Sequence, residues 1–387
     1  MGALAGRPEL PRAPRLLESK GPSAVVGGSA DAEFGISVSP DRATTFGPRG
    51  ACLFGDDGPL WVCDTGHHRL LGWSRRPTSD RQPADWIIGQ KDFESEGRNG
   101  HREADRQSVN VPTGIARCGQ GMAVADAWNN RVLIWHRVPT DSHVPADVIL
   151  GQRSAAGIEP NEGGEPTAHS MHWPFAVLEH GGKIFVGDSG NRRIVIWDAI
   201  PTDDYVPADR VLGQDGMTER SDNAGIGASA SSMRWPHGLC VWNGDLVMSD
   251  AGNNRVLIWD GIPEQNNAPA REVIGQRDFQ AVDHNQGSYW PRAHTLNMPY
   301  GATVLGNRLI VADTASSRLV GFEGPPRRNQ EAFALSGQDD FGAKGDNRWQ
   351  PAVRDSLCWP YNVSTCGNTV VIADSGNNRV LLWDIEA

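Results

Sequence analysis

The stretch Val247-Met-Ser-Asp-Ala-Gly-Asn-Asn-Arg-Val-Leu-Ile-Trp259 decides the architecture, because versions of it occur six times along the chain. Its counterparts are Val62-Cys-Asp-Thr-Gly-His-His-Arg69, Val124-Ala-Asp-Ala-Trp-Asn-Asn-Arg131, Val186-Gly-Asp-Ser-Gly-Asn-Arg-Arg193, Val311-Ala-Asp-Thr-Ala-Ser-Ser-Arg318 and Ile372-Ala-Asp-Ser-Gly-Asn-Asn-Arg379. The aspartates Asp64, Asp126, Asp188, Asp250, Asp313 and Asp374 follow one another at intervals of 62, 62, 62, 63 and 61 residues. A period kept that tightly means one structural unit copied around a ring or along a stack.

Working outward, each copy reads alike. A Pro-led entry opens a short apolar run, as in Pro236-His-Gly-Leu-Cys-Val241. A turn follows, such as Asn243-Gly244, which is a two-residue hairpin signal. Then come an apolar strand ending at the aspartate, the Asp-x-Gly-Asn-x-Arg turn, and a β-rich run ending in Trp. A proline-bearing connection (Pro263 to Pro269) leads to a fourth strand, Glu272-Val-Ile-Gly-Gln276. Four short antiparallel strands per unit make the blade of a β-propeller, so the fold class is all-β and six-bladed.

The two ends of the chain bear on closure. The last copy stops after its third strand, Arg379-Val-Leu-Leu-Trp383. The orphan Ala24-Val-Val-Gly-Gly28 resembles the fourth strands Val148-Ile-Leu-Gly-Gln152 and Arg210-Val-Leu-Gly-Gln214. The N-terminal strand is therefore expected to complete the sixth blade and leave no unpaired edge. Residues 23–387 then form a single propeller. Residues 1–22, with Arg7, Arg12, Arg15 and Lys20 among Pro8, Pro11, Pro14 and Pro22, are expected to be a mobile arm.

The antiparallel strand order places the Asp-x-Gly-Asn turns and the connections between blades on one face, here termed upper. Those connections span 91–111, 153–173, 215–235, 277–298 and 339–359, and carry Asn99, Asn161, Asn223, Asn285 and Asn347 at an unbroken interval of 62. Irregular loops of this length normally vary freely. Constant length and a phased asparagine predict ordered loops, with Phe93, Phe279 and Phe341 near their starts and Trp173, Trp235 and Trp359 at their ends.

Composition narrows the function classes. The 45 glycines and 26 prolines recur in phase with the repeat and read as turn punctuation. A formal net charge of -11 argues against a general nucleic-acid binder, which needs clustered Lys and Arg. The six cysteines have no pairing motif, and Cys52 and Cys240 occupy one repeat position held elsewhere by Ala116 and Thr303. That pattern fits small buried residues in a reducing compartment. No apolar run has the length of a membrane span or the makeup of a signal peptide, so a cytoplasmic location is expected.

The Asp-x-Gly-Asn-Asn-Arg-Val-Leu-Ile-Trp signature resembles the NHL-repeat family of six-bladed propellers, across residues 24–387. The 62-residue period exceeds the family's usual repeat, and the surplus lies in the connections between blades. The resemblance implies a binding platform for protein or RNA, with a minority of relatives, such as peptidylglycine amidating lyases, holding metals and doing chemistry. Fold alone does not choose among them.

The six Asp/Arg pairs (Asp64/Arg69, Asp126/Arg131, Asp188/Arg193, Asp250/Arg255, Asp313/Arg318 and Asp374/Arg379) are read as scaffolding, since six equivalent sites rarely all do catalysis. Trp73, Trp135, Trp197, Trp259 and Trp383, with Phe322, are read as core between blades. Function belongs where the copies differ. Arg49, Thr113, Phe175, His237, Tyr300 and Tyr361 follow the entry prolines and are expected to ring the channel mouth. With Trp128 they are the candidate partner-binding residues; filling of the channel rim is the competing structural reading. His67 and His68 replace the usual asparagines and, with His237, are candidate ligands of a divalent metal on the upper face. Neither a His-x-His nor a His-Glu-x-x-His pattern supports that metal site, and no P-loop, dinucleotide fingerprint or serine elbow occurs. The expected function is a non-catalytic scaffold or accessory subunit that binds a protein partner through the upper face, without a resident cofactor. A metal-dependent hydrolase or lyase at the channel mouth is the alternative, and an RNA-binding domain the third reading.

Overall fold

A computed structural model of the chain describes residues 7, 9–18, 20–28 and 39–385. Six four-stranded antiparallel sheets follow one another as blades. Blade one consists of Gly50–Leu53, Leu60–Asp64, Arg69–Trp73 and Trp86–Ile88, in that order from the axis outward. The innermost strands of the other blades are Pro112–Cys118, Pro174–His180, Pro236–Trp242, Pro299–Leu305 and Pro360–Cys366. Each touches its neighbours, and the last touches Gly50–Leu53 again, which closes the ring. The Asn243-Gly244 hairpin has φ of 54° and 90°, the left-handed pair that a two-residue turn demands.

The sixth blade takes its outer strand from the start of the chain. Ala24–Gly27 runs antiparallel to Arg379–Asp384, with Ala24 opposite Leu382 and Gly27 opposite Arg379. Apolar clusters lie between blades rather than within them. One joins Trp61 and Leu70 to Val124 and Leu133; the seam between last and first blades joins Ala24, Val26 and Val371 to Leu60 and Trp73. Strand alternation explains this placement: each sheet is covered on one face by the preceding blade and on the other by the next, so its residues are apolar on both sides.

The described part of residues 1–22 lies along blade five. Arg15 forms a parallel bridge with Leu335, Leu16 N–H donates to Leu335 O at 2.9 Å, and Leu17 is buried. Arg12 and Arg15 lie 3.6 and 3.3 Å from Asp339 and Asp355, and Arg7 pairs with Asp340. The prolines do rule out regular structure, but they leave an extended segment free to lie along the outer edge of blade five. Leu16-Leu17 supplies its apolar anchor and the acidic loop 339–359 its counter-charge. Residues 1–6, 8 and 19 lie outside the described residues. The arm also completes the tryptophan series. Trp73, Trp135, Trp197 and Trp259 donate their indole N–H to carbonyls nine residues on, at Gln82, Val144, Val206 and Ala268. Trp383 donates to Glu18 O at 3.1 Å.

The Asp/Arg pairs tie the upper-face loops to the blades. In blade two, Asp126 Oδ1 accepts from Asn110 N–H at 2.6 Å, and Oδ2 accepts from Arg131 Nε at 2.8 Å and Asn129 Nδ2 at 2.7 Å. Arg131 then donates to Asp105 O and Ser108 O in the preceding connection and to Ala155 O in the following one. The same bonds from carboxylate to arginine recur at Asp64, Asp188, Asp250, Asp313 and Asp374, all at 2.7–2.9 Å. The phased asparagines meet the turn asparagines amide to amide: Asn99 with Asn129, Asn161 with Asn191, Asn223 with Asn253 and Asn347 with Asn377. Where the turn offers Ser316 instead, Asn285 Nδ2 has no hydrogen-bond partner among the described residues. The hydroxyls after the aspartates link successive blades, with Thr65, Ser189 and Thr314 donating to the carbonyls of Pro112, Pro236 and Pro360, and Ser375 to Pro48.

Two outcomes follow from this frame. Deleting residues 1–28 uncovers the edge of Arg379–Asp384 and leaves the Trp383 indole unpaired, so the thermal midpoint falls by about 5 °C or more; an unchanged midpoint would show that the strand does not close the ring. Asp250→Ala strands the buried Arg255 guanidinium and lowers unfolding free energy by about 3–5 kcal/mol in urea titration, whereas a loss below about 1 kcal/mol would refute the network's role.

Candidate functional site

The residues after the entry prolines do gather at the upper end of the channel, but most of them fill it. Phe175, His237, Tyr300 and Tyr361 stack in sequence, with ring centroids 4.0, 4.4 and 4.6 Å apart. Phe175, His237 and Tyr300 are buried, and Thr113 is wholly covered with Oγ1 donating to Phe175 O at 2.9 Å. Arg49 closes the series with its guanidinium 4.8 Å from the Tyr361 ring centroid. Such offset and edge-on contacts suit aromatic quadrupoles, and they make a plug with only Arg49 and Tyr361 partly open to solvent.

His237 sits within this plug, and burial pushes its pKa down to about 3. Its Nδ1 lies 3.0 Å from Trp235 O, a group that only accepts, so the neutral ring carries its proton on Nδ1. The other two histidines take over the work of asparagines. His67 Nδ1 donates to Asp64 Oδ2 at 2.8 Å, as Asn129 does to Asp126. His68 Nδ1 accepts from Val111 N–H at 3.1 Å, as Asn130 Oδ1 accepts from Trp173 N–H at 2.8 Å. Both imidazoles thus use Nδ1 within the turn, and His68 shares the left-handed φ of Asn130. Burial lowers the pKa of His68. Among the described residues, no cluster of three or more His, Cys, Asp or Glu is arranged to hold a metal ion.

The buried carboxyls of Asp126, Asp313 and Asp374 are pushed up by desolvation against the pull of their arginines. All six Asp/Arg pairs are covered by loops and belong to the frame rather than to an open surface.

An accessible feature lies beside the plug. A groove of about 470 Å³ crosses blades six, one and two, walled by Phe46, Trp128, Trp359 and Tyr361 and edged by Arg49 and Arg98. Trp128 is 46% exposed and stands where the other copies hold Gly66, Gly190, Gly252, Ala315 and Gly376. A Cβ at Gly66 would lie 2.4 Å from the Phe46 ring, and one at Gly190 2.5 Å from His172. Blade two offers Asn110 at the facing position, and the indole turns outward under Arg98, whose guanidinium lies 5.2 Å from its ring centroid. Phe46 is 39% exposed. Sequence reasoning singled out Arg49, Trp128 and Tyr361 but missed Phe46 and Arg98. The signal for Phe46 was a column two places before the entry proline that reads Phe46, Asn110, His172, Arg234, Asn297 and Cys358, different in nearly every blade.

Comparison with known proteins agrees with the architecture. The NHL repeat model matches residues 47–73 and 233–259. No curated protein matches the sequence. Among solved structures, a structural genomics protein of unknown function from Bacteroides thetaiotaomicron superposes with a TM-score of 0.51 at 12% identity, over 95% of this chain and 75% of that one. The WD40 β-propeller domain of Doa1 gives 0.49 at 9% identity, covering 95% and 97%. Virginiamycin B lyase from Staphylococcus aureus gives 0.44 at 10%, covering 94% and 98%. At 12% identity the first of these likenesses speaks for fold alone, and the other two carry no argument.

The plug sets a pH dependence. A histidine held neutral when folded, with pKa lowered from 6.5 to about 3, contributes stability that is whole above pH 6.5 and is lost as pH falls toward 3. At pH 4 the loss from His237 is roughly 3 kcal/mol. Replacing it by phenylalanine keeps the stack, so the variant's unfolding free energy should fall less steeply than the parent's between pH 6.5 and 4; parallel curves would overturn this assignment.

Proposed function

We propose, taking as premise that the chain is a six-bladed β-propeller with NHL repeat matches at residues 47–73 and 233–259, that it is a non-catalytic interaction platform docking a protein partner on its upper face. The observation that carries the reading is Trp128, a half-exposed indole at a position the frame otherwise fills with glycine or alanine. With Phe46, Trp359 and Tyr361 it lines a groove open to solvent. Aromatic and arginine side chains of this kind provide most of the binding energy at protein interfaces. The loops that present them are already tied down by the Asp/Arg bonds, so little ordering cost opposes association. No helix among the described residues is long and apolar enough to cross a membrane, and a cytoplasmic accessory subunit is the setting this reading favours.

Within this reading, burial divides the candidate residues into two groups. Phe175, His237, Tyr300 and Thr113 lie in or under the plug, so their substitution reports on stability. Trp128, Phe46, Arg49 and Tyr361 report on binding. Affinity capture from native lysate with the parent chain and with Trp128→Ala should recover a stoichiometric partner with the first and lose most of it with the second, while thermal midpoints agree. Equal recovery with both would place the binding surface elsewhere.

A further inference from the structure

The groove carries a charge pattern at odds with the rest of the molecule. The chain has a net charge of -11, and its arginines are mostly matched: Arg12, Arg15, Arg76, Arg106, Arg192 and Arg354, for example, all pair with carboxylates. Arg328, 5.4 Å from the Phe279 ring centroid and outside the groove, lacks such a partner among the described residues, and so do Arg49 and Arg98 within it. Neither groove arginine has a carboxylate or hydrogen-bond acceptor among the described residues, and each guanidinium rests only on an aromatic ring, of Tyr361 and Trp128 respectively. A guanidinium stacked in this way keeps its in-plane N–H donors free, in the fork that matches a carboxylate. The nearby Glu96 lies 3.9 Å from His67 Nε2 and does not line the groove.

The walls between the two cations are Phe46, Trp359 and Tyr361, so a ligand here meets positive charge at two edges and apolar ring between them. The groove takes its walls from three successive blades, Trp359 and Tyr361 from the sixth, Arg49 from the first and Trp128 from the second, and its rims at Trp128 and Phe46 stay exposed. That shape accepts a chain lying across the blades rather than a compact molecule enclosed on all sides.

We infer that the groove between Arg49 and Arg98 receives an acidic peptide segment of the partner, with carboxylates on the two arginines and an aromatic or leucine-type side chain between them on Phe46 and Trp359. This rests on the docking face proposed above and adds the chemistry of what docks. The stacked arginines act as fixed donors whose partner charge comes from outside the chain, which gives specificity against neutral or basic segments by leaving the guanidiniums unmatched.

The test uses the full chain and fluorescein-labelled eight-residue peptide pools with one central Trp, Phe or Leu flanked by Asp and Glu. The control pool replaces Asp and Glu by Asn and Gln. Fluorescence anisotropy should show binding of the acidic pool, weakened about tenfold or more by the amide replacement and by Arg49→Gln or Arg98→Gln. Rising salt should weaken it further. Equal affinity for both pools, or no effect of either arginine variant while Trp128→Ala abolishes binding, would overturn the charge reading and leave the docking face standing. Failure of every pool up to about 1 mM, with partner capture still lost in Trp128→Ala, would also overturn this inference alone. If neither peptide binding nor capture depends on Trp128, both readings fall. Two further probes bear on the occupant: saturable quenching of tryptophan fluorescence by indole-3-acetate without peptide binding would reassign the groove to a small aromatic acid. Arginine-dependent, salt-sensitive binding of an oligouridylate in place of peptide would reassign it to RNA.

Discussion

Everything on the upper face depends on a buried carboxylate that must be matched. Asp126 and its five counterparts sit at the end of the second strand with no access to water. A buried charge in that position is tolerable only when paired and hydrogen-bonded. One oxygen takes a backbone N–H from the connection between blades, and the other takes the arginine, whose remaining donors reach carbonyls in two connections. Replacing such a pair by apolar residues often costs a protein little in stability. Here the pair's worth is geometric, because only one arrangement of the loops supplies all the acceptors. Connections of 21 or 22 residues are thereby tied to the strands beneath them.

That frame separates two kinds of position. Columns whose side chains face the network repeat with few changes; His67 and His68 keep the hydrogen bonds of the two asparagines they replace, whereas Ser316 leaves the Asn285 amide unmatched. Columns that face outward carry no such demand. Phe46 and Trp128 occupy them, and the groove they line owes its position to bonds made by residues that never touch a ligand. Charge follows the same division. Buried arginines answer to the frame's own carboxylates, whereas Arg49 and Arg98 answer only to aromatic rings. Rigidity beneath and variety above is how a repeat fold acquires one specific surface without disturbing its closure.

Much of this was legible in the chain because repetition multiplies weak local signals. One Asp-x-Gly-Asn-x-Arg turn says little; six in phase give blade number, strand order and shared face. The phased asparagines predicted ordered connections, and the amide pairs Asn161–Asn191 and Asn347–Asn377 supply the reason. The arm's prolines exclude helix and sheet, and its contacts through Leu17 and the bond from Trp383 to Glu18 need only an extended chain. The channel ring was placed in the right region, yet position alone could not show that Phe175, His237 and Tyr300 collapse on one another.

The sequence by itself determined the propeller, its six blades, the strand that joins the first residues to the last blade, and the scaffolding role of the Asp/Arg pairs. These follow from periodicity and from the chemistry of buried polar groups, both of which are local or repeat in step. Only the tertiary structure decided which of the variable residues are open. Whether Arg49 meets a carboxylate, whether His237 faces water, and whether Trp128 turns in or out depend on neighbours contributed by other blades, at distances in the chain that no local pattern records.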